Sequence, residues 1–180
     1  MGVNIFCSLS EHPAKIQTTP STLDAGGTLP TQLAQQFRSG MNDLDGALHD
    51  LPPQVADRPW RIDGWTGRQI VGHLLDSAAN NRQRFVRAAI DGSYEGPGYE
   101  QKGWVAAHGY ADQSWATLLR WWVVEKEILI AVVDCIPEER LEAPCLIAGG
   151  LPVTLRFLIV DYLRHHRHHL EQLASAIDAS

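Results

Sequence analysis

Long apolar runs are missing from this sequence. None approaches the roughly 18 residues a membrane-crossing helix needs, and no basic start followed by an apolar core marks a secretion signal. Cysteine is scarce: Cys7, Cys135 and Cys145 are an odd number without a C-x-x-C pair. Neither a disulfide framework nor a cysteine zinc knuckle fits that pattern. Both absences lead to the expectation of a cytoplasmic protein without a membrane partner. There is no basic surplus either, since 15 Lys and Arg stand against 21 Asp and Glu, for a net charge of -6. That balance argues against a nucleic-acid binder. Two-residue alternation is nowhere sustained, and no internal repeat is visible.

What is present is helical periodicity in a chain of 180 residues, long enough for one domain with a full core. Residues 1–29 carry Ser, Thr, Pro and Gly without period and read as a flexible N-terminal extension. Residues 30–180 read as a single bundle domain. Its first helix is predicted over about 31–50, where Leu33, Phe37, Met41, Leu44 and Leu48 recur every three or four positions before Pro52 and Pro53. The second is announced by Thr66-Gly-Arg-Gln69, a capping box, and continues through Ile70, Val71, Leu74, Leu75, Ala78 and Phe85 to about Ile90. A Gly/Pro-rich stretch, DGSYEGPGYEQKGW, is too long for a tight turn and is expected to border a site. The third helix is predicted over about 112–134 with Trp115, Leu118, Leu119, Trp122, Ile128 and Val132 on its apolar side. The fourth runs from Val153 or Thr154 to about Ile177. Four amphipathic helices of this length predict an all-α, four-helix bundle, with two long connections that leave the helix order open.

The chemistry concentrates in RHHRHHLEQL, residues 164–173, inside the fourth helix. At about 100° per residue, Leu155, Ile159, Tyr162, Leu170, Leu173 and Ile177 gather within roughly 80° of one another. His169 falls at the edge of that face, and His165 about 40° beyond it, one turn away on the same side. His166 falls near the middle of the apolar face, and His168 points away. On the second helix His73 flanks the apolar face, with Ser77, Asn80 and Arg84 continuing the seam. Residue patterns alone leave three readings of the cluster open. It is a metal site, a solvated polar helix face, or an anion-binding patch built on Arg164 and Arg167. His12, His49 and His108 read as isolated and solvated.

These motifs together resemble the DinB/YfiT-like superfamily of four-helix bundles with a three-histidine metal site. The resemblance rests on Trp65-Thr66-x-Arg68-Gln69, then His73-x-x-Asp76-Ser77-x-x-Asn80, then Tyr99-Glu100 and Trp104, and finally His165-x-x-x-His169. It covers about 31–178. It departs where that branch often has histidines, at Gly72 and Ala78. The resemblance implies His73, His165 and His169 as metal ligands and leaves His166 and His168 as neighbours; the helical phase of His166, nearer the apolar face, keeps it as the reserve ligand. It implies a divalent transition metal, zinc or nickel first, then iron, manganese or cobalt. Asp76, Asn80 and Arg84 are the candidate catalytic residues, and Glu171 and Gln172 could hold ligands or substrate in place. Relatives of this kind include transferases for small thiols such as bacillithiol and mycothiol, an isomerase that uses mycothiol, and metal-dependent hydrolases. The resulting expectation is an enzyme whose metal activates a thiol of the bacillithiol, mycothiol or glutathione class, or water, against an electrophilic small molecule. The alternative is a metal- or ligand-binding bundle without turnover, stress-related and compatible with a homodimer.

Overall fold

A computed structural model describes residues 30–178. The expected N-terminal extension therefore lies outside the described residues. Four long helices form the body: α1 (Gln32–His49), α2 (Gly67–Asp91), α4 (Trp115–Asp134) and α5 (Leu155–Asp178). A short helix, α3 (Gln101–Ala107), and three strands fill the connections: β1 (Tyr94–Gly96), β2 (Pro144–Ile147) and β3 (Val153–Thr154). None of the described helices is long and apolar enough to cross a membrane.

Local chemistry places the helix ends. Thr66 caps α2: its hydroxyl accepts from the Gln69 amide, and its own backbone N–H donates to Gln69 Oε1 at 2.9 Å, so two otherwise orphaned donors are satisfied. The helix stops at Gly92, whose φ of 74° is left-handed, a conformation that glycine adopts without steric penalty. Ser114 caps α4 through the Thr117 amide. Both capped ends agree with the sequence expectation to within a few residues.

Packing follows the predicted faces for α1, α2 and α5. Phe37, Met41 and Leu48 meet Ile70, Leu74, Phe85, Leu155 and Ile159 in one core. The helix pairs in contact are α1 with α4, α4 with α2, α2 with α5, and α5 with α1. Consecutive long helices α1 and α2 thus sit across the diagonal, and so do α4 and α5. The long connections permit this order, which sequence had left open. It makes α2 and α5 direct neighbours, and those two helices carry all the motif histidines.

Two features depart from expectation. The helix predicted over 112–134 begins at Trp115, and Ile128 is 37% exposed rather than in the core. It belongs to an outer apolar groove with Val86, Ile90, Val132 and Cys135. Helix α4 is apolar nearly all the way round, so period alone does not single out its buried side. The Gly/Pro-rich segment also holds structure: β1 pairs in parallel with β2, and β2 antiparallel with β3. These strands are two to four residues long, too short to show alternation, and they fasten the segment after α2 to the start of α5.

Gly72 explains one departure from the family pattern. The ring of Tyr110, 1% exposed, occupies the space where a Cβ would project. We predict that Gly72→Ala displaces Tyr110 and destabilises the fold by about 1–3 kcal/mol. Chemical denaturation would check this; an unchanged midpoint would contradict the packing.

Candidate metal centre

The three histidines named by the resemblance come from α2 and α5 and meet at one point. His165 Nε2 lies 3.1 Å from His73 Nε2 and 3.1 Å from His169 Nε2. One nitrogen from each ring falls within 4.8 Å of the others, a group able to hold a metal ion. The i, i+4 spacing supplies two of the rings and the α2–α5 contact supplies the third. Trp65 packs against His73, with ring centroids 5.0 Å apart.

Hydrogen bonding sets the tautomer. His169 Nδ1–H donates to Gln172 Oε1 at 2.7 Å, so its Nε2 presents a lone pair to the cluster. His165 Nε2 then has two close neighbours. A proton on His165 can serve one of those contacts, and a proton on His73 can serve the other contact only if His165 turns its lone pair to it. In either arrangement of neutral rings, the two contacts cannot both be hydrogen bonds. Extra protons are disfavoured, because burial first, then the neighbouring imidazoles, lower His73 to about 3. Burial and His165 likewise bring His169 to about 4, against the Gln172 bond. His165 is lowered too, mainly by burial and partly offset by Asp161. A cation other than the proton satisfies all three lone pairs, and imidazole nitrogens suit a divalent transition metal.

Two clefts open on this cluster. One of about 180 Å³ is lined by His165 together with Ser77, Asn81, Arg84, Tyr99 and Gln101. The other, of similar size, is lined by His169 and Gln172 with Trp60, Arg61, Trp65 and Lys102. The sequence expectation that the Gly/Pro-rich segment borders a site agrees with Tyr99 and Gln101 in the first cleft.

The other sequence candidates fall in different places. His166 is fully buried away from the cluster, its Nδ1 donating to the Tyr162 carbonyl at 2.9 Å and its ring stacked on Trp122. Burial holds it well below the usual histidine range. His168 and Glu171 are exposed. Asn80 donates to the Asp76 carbonyl of its own helix at 2.8 Å and lines neither cleft. Asp76 is 2% exposed and accepts from Tyr110 Oη at 2.8 Å. His108 Nδ1 lies 3.1 Å from the same carboxylate oxygen. This corrects the reading of His108 as isolated: a turn at Tyr110–Asp112 brings the ring back over α2, stacked 5.1 Å from Tyr110. His49 is also paired, to Asp45 on its own helix, and His12 lies outside the described residues. Burial raises the Asp76 carboxyl, while Tyr110 and His108 act in the opposite direction.

The lowered histidines make acid sensitivity a test. Unfolded imidazoles titrate near 6.5, whereas His169 and His73 hold off protonation to about 4 and 3 in the fold. The unfolded chain binds more protons throughout that window, so stability of metal-free protein falls as pH drops below 6.5. Denaturant unfolding at pH 7.5 and 5.5, above most carboxylate titration, should show a clear loss that His73→Leu makes shallower. Equal stability at both pH values would contradict the buried, neutral state of these rings.

The family model described as "DinB superfamily" matches residues 36–173. A "Putative metal-dependent hydrolase" of Bacillus cereus (strain B4264) is 34% identical over 70 residues, covering 39% of this chain and 40% of that protein. A protein of the same description from Bacillus anthracis (strain A0248) matches to the same extent. The aligned part thus spans less than half the length of these curated relatives. Among solved structures, YfiT from Bacillus subtilis, described as a probable metal-dependent hydrolase with an unusual four-helix bundle topology, superposes with a TM-score of 0.70. It is 21% identical, over 80% of this chain and 83% of that one. The DinB-like protein YjoA of Bacillus subtilis gives 0.55 at 17% identity, over 83% and 92%. The fold is shared with both, and the chain belongs to the DinB superfamily.

Proposed function

We propose that His73, His165 and His169 hold one divalent transition metal, zinc or nickel first, and that the chain is a metal-dependent enzyme acting on small molecules. The observation that carries this reading is the meeting of three Nε2 atoms through two 3.1 Å contacts, which no arrangement of neutral rings turns into two hydrogen bonds. Three protein ligands leave a position open, as catalytic rather than structural sites do. A metal bound there supplies Lewis acidity, which lowers the pKa of a thiol or a water molecule.

The chain's own residues shape the rest. Gln172 holds the His169 ring by its outer nitrogen, and such supports fix a ligand's orientation. Trp65 shields His73. Asp76 lines neither cleft; held by Tyr110 and His108, it acts as a positioning residue that ties the 110–112 turn to α2. Two clefts meeting the cluster through different histidines favour two reactants over one reactant and water. We therefore place transfer of a thiol of the bacillithiol, mycothiol or glutathione class to an electrophile ahead of hydrolysis.

The test is thiol consumption by the metal-loaded full chain, with those three thiols and a panel of alkylating and epoxide electrophiles. The expected result is turnover that needs both metal and thiol and falls at least about a hundredfold in His165→Ala, whose helical circular dichroism stays intact. Metal removal that lowers the melting temperature, without thiol-dependent or hydrolytic turnover on any electrophile, would contradict the enzyme and favour a binding bundle.

A further inference from the structure

Arg84 is an unusual wall residue for the cleft beside His165. Its side chain is 8% exposed, yet no ion pair holds it among the described residues. Its recorded partners are neutral and distant: Nη1 donates to Asn81 Oδ1 at 3.3 Å and Nη2 to the Pro97 carbonyl at 3.5 Å. Arg84 lines the cleft that it shares with His165. Burying a guanidinium cation without a compensating charge is costly.

Local carboxylates do not resolve the imbalance. Asp161 lines the same cleft but is ion-paired with Arg164. Asp76 already accepts from Tyr110 and faces His108. The cleft's other polar groups, Ser77, Asn81, Tyr99 and Gln101, are uncharged at neutral pH, and burial followed by the Asp76 charge pushes the Tyr99 hydroxyl up to about 12. The strand pairing of β1 with β2 fixes the segment leading to Pro97 and Tyr99, so this wall is built rather than improvised.

We propose that the Arg84 guanidinium anchors a carboxylate of the small molecule occupying the cleft beside His165, so that one of the two reactants is an organic acid. This rests on reading the three histidines as a metal-centred reaction site. The fork geometry of arginine matches a carboxylate through paired, charge-assisted hydrogen bonds. Held there, the acid's far end is directed toward His165 and the open side of the cluster. Arg84 is thereby a specificity residue: it selects acids over neutral isosteres.

Binding to the zinc-loaded full chain, measured by calorimetry or by ligand-observed NMR, tests this without any turnover assay. The probes are butyrate against butyramide, and 3-mercaptopropionate against 3-mercaptopropanamide. The acid of each pair should bind about tenfold or more tightly than its amide. Arg84→Gln should erase that preference at unchanged zinc content, and Arg84→Lys should restore part of it. Equal binding of acid and amide by the wild-type chain would overturn the proposal, whether or not Arg84→Gln folds. So would a preference that survives in Arg84→Gln, since the acid would then sit on the metal. The thiol reading fails separately: 3-mercaptopropionate would bind no more tightly than butyrate while the Arg84-dependent acid preference stands.

Discussion

Everything at this site depends on desolvated imidazole nitrogen. Three rings meet between α2 and α5 with their Nε2 atoms turned toward one another, His73 and His169 buried and His165 half-buried. Protons are disfavoured there by burial and by the neighbouring rings. Such an arrangement persists in a folded protein when a cation supplies what protons do not. The diagonal placement of α1 and α2 serves the same end, because it brings α2 beside α5 rather than beside α1.

Much of this was legible in the residues. Wheel phase put His166 on the apolar face, His169 at its edge and His168 outside, and their burial in the bundle follows that order. The capping box fixed the start of α2, and hence the phase of His73. The clustering of His73 with His165 and His169 needed the family resemblance, because phase permits two helices to face each other without saying that they do. The partners of Asp76 were not legible. Tyr110 and His108 lie more than thirty positions away across an irregular connection, and no period links them. The inner side of α4 was hidden by its all-round apolarity: Trp122 is buried beside Asp45 while its neighbour Trp121 is 43% exposed. One trace of the Asp76 network was visible, the glycine where relatives often carry histidine, and its meaning became clear only with the Tyr110 ring in that space.

The surroundings turn a metal-binding triangle into a directed site. His165 and His169 each line a separate cleft, and the two clefts differ in character: one holds the unpaired Arg84, the other Trp60, Trp65 and Lys102. Gln172 touches the triangle from the second side and sets which nitrogen of His169 is free. A merely structural site would have little use for open walls of this kind on both sides, since structural metal sites are closed by protein.

The most direct measurement is metal content after reconstitution with zinc or nickel and desalting, by elemental mass spectrometry, for the full chain and its His73→Ala variant. About one ion per chain in the wild type and close to none in the variant, with helical circular dichroism preserved, is the predicted result. Equal metal content in the two proteins would contradict a centre built on His73, His165 and His169.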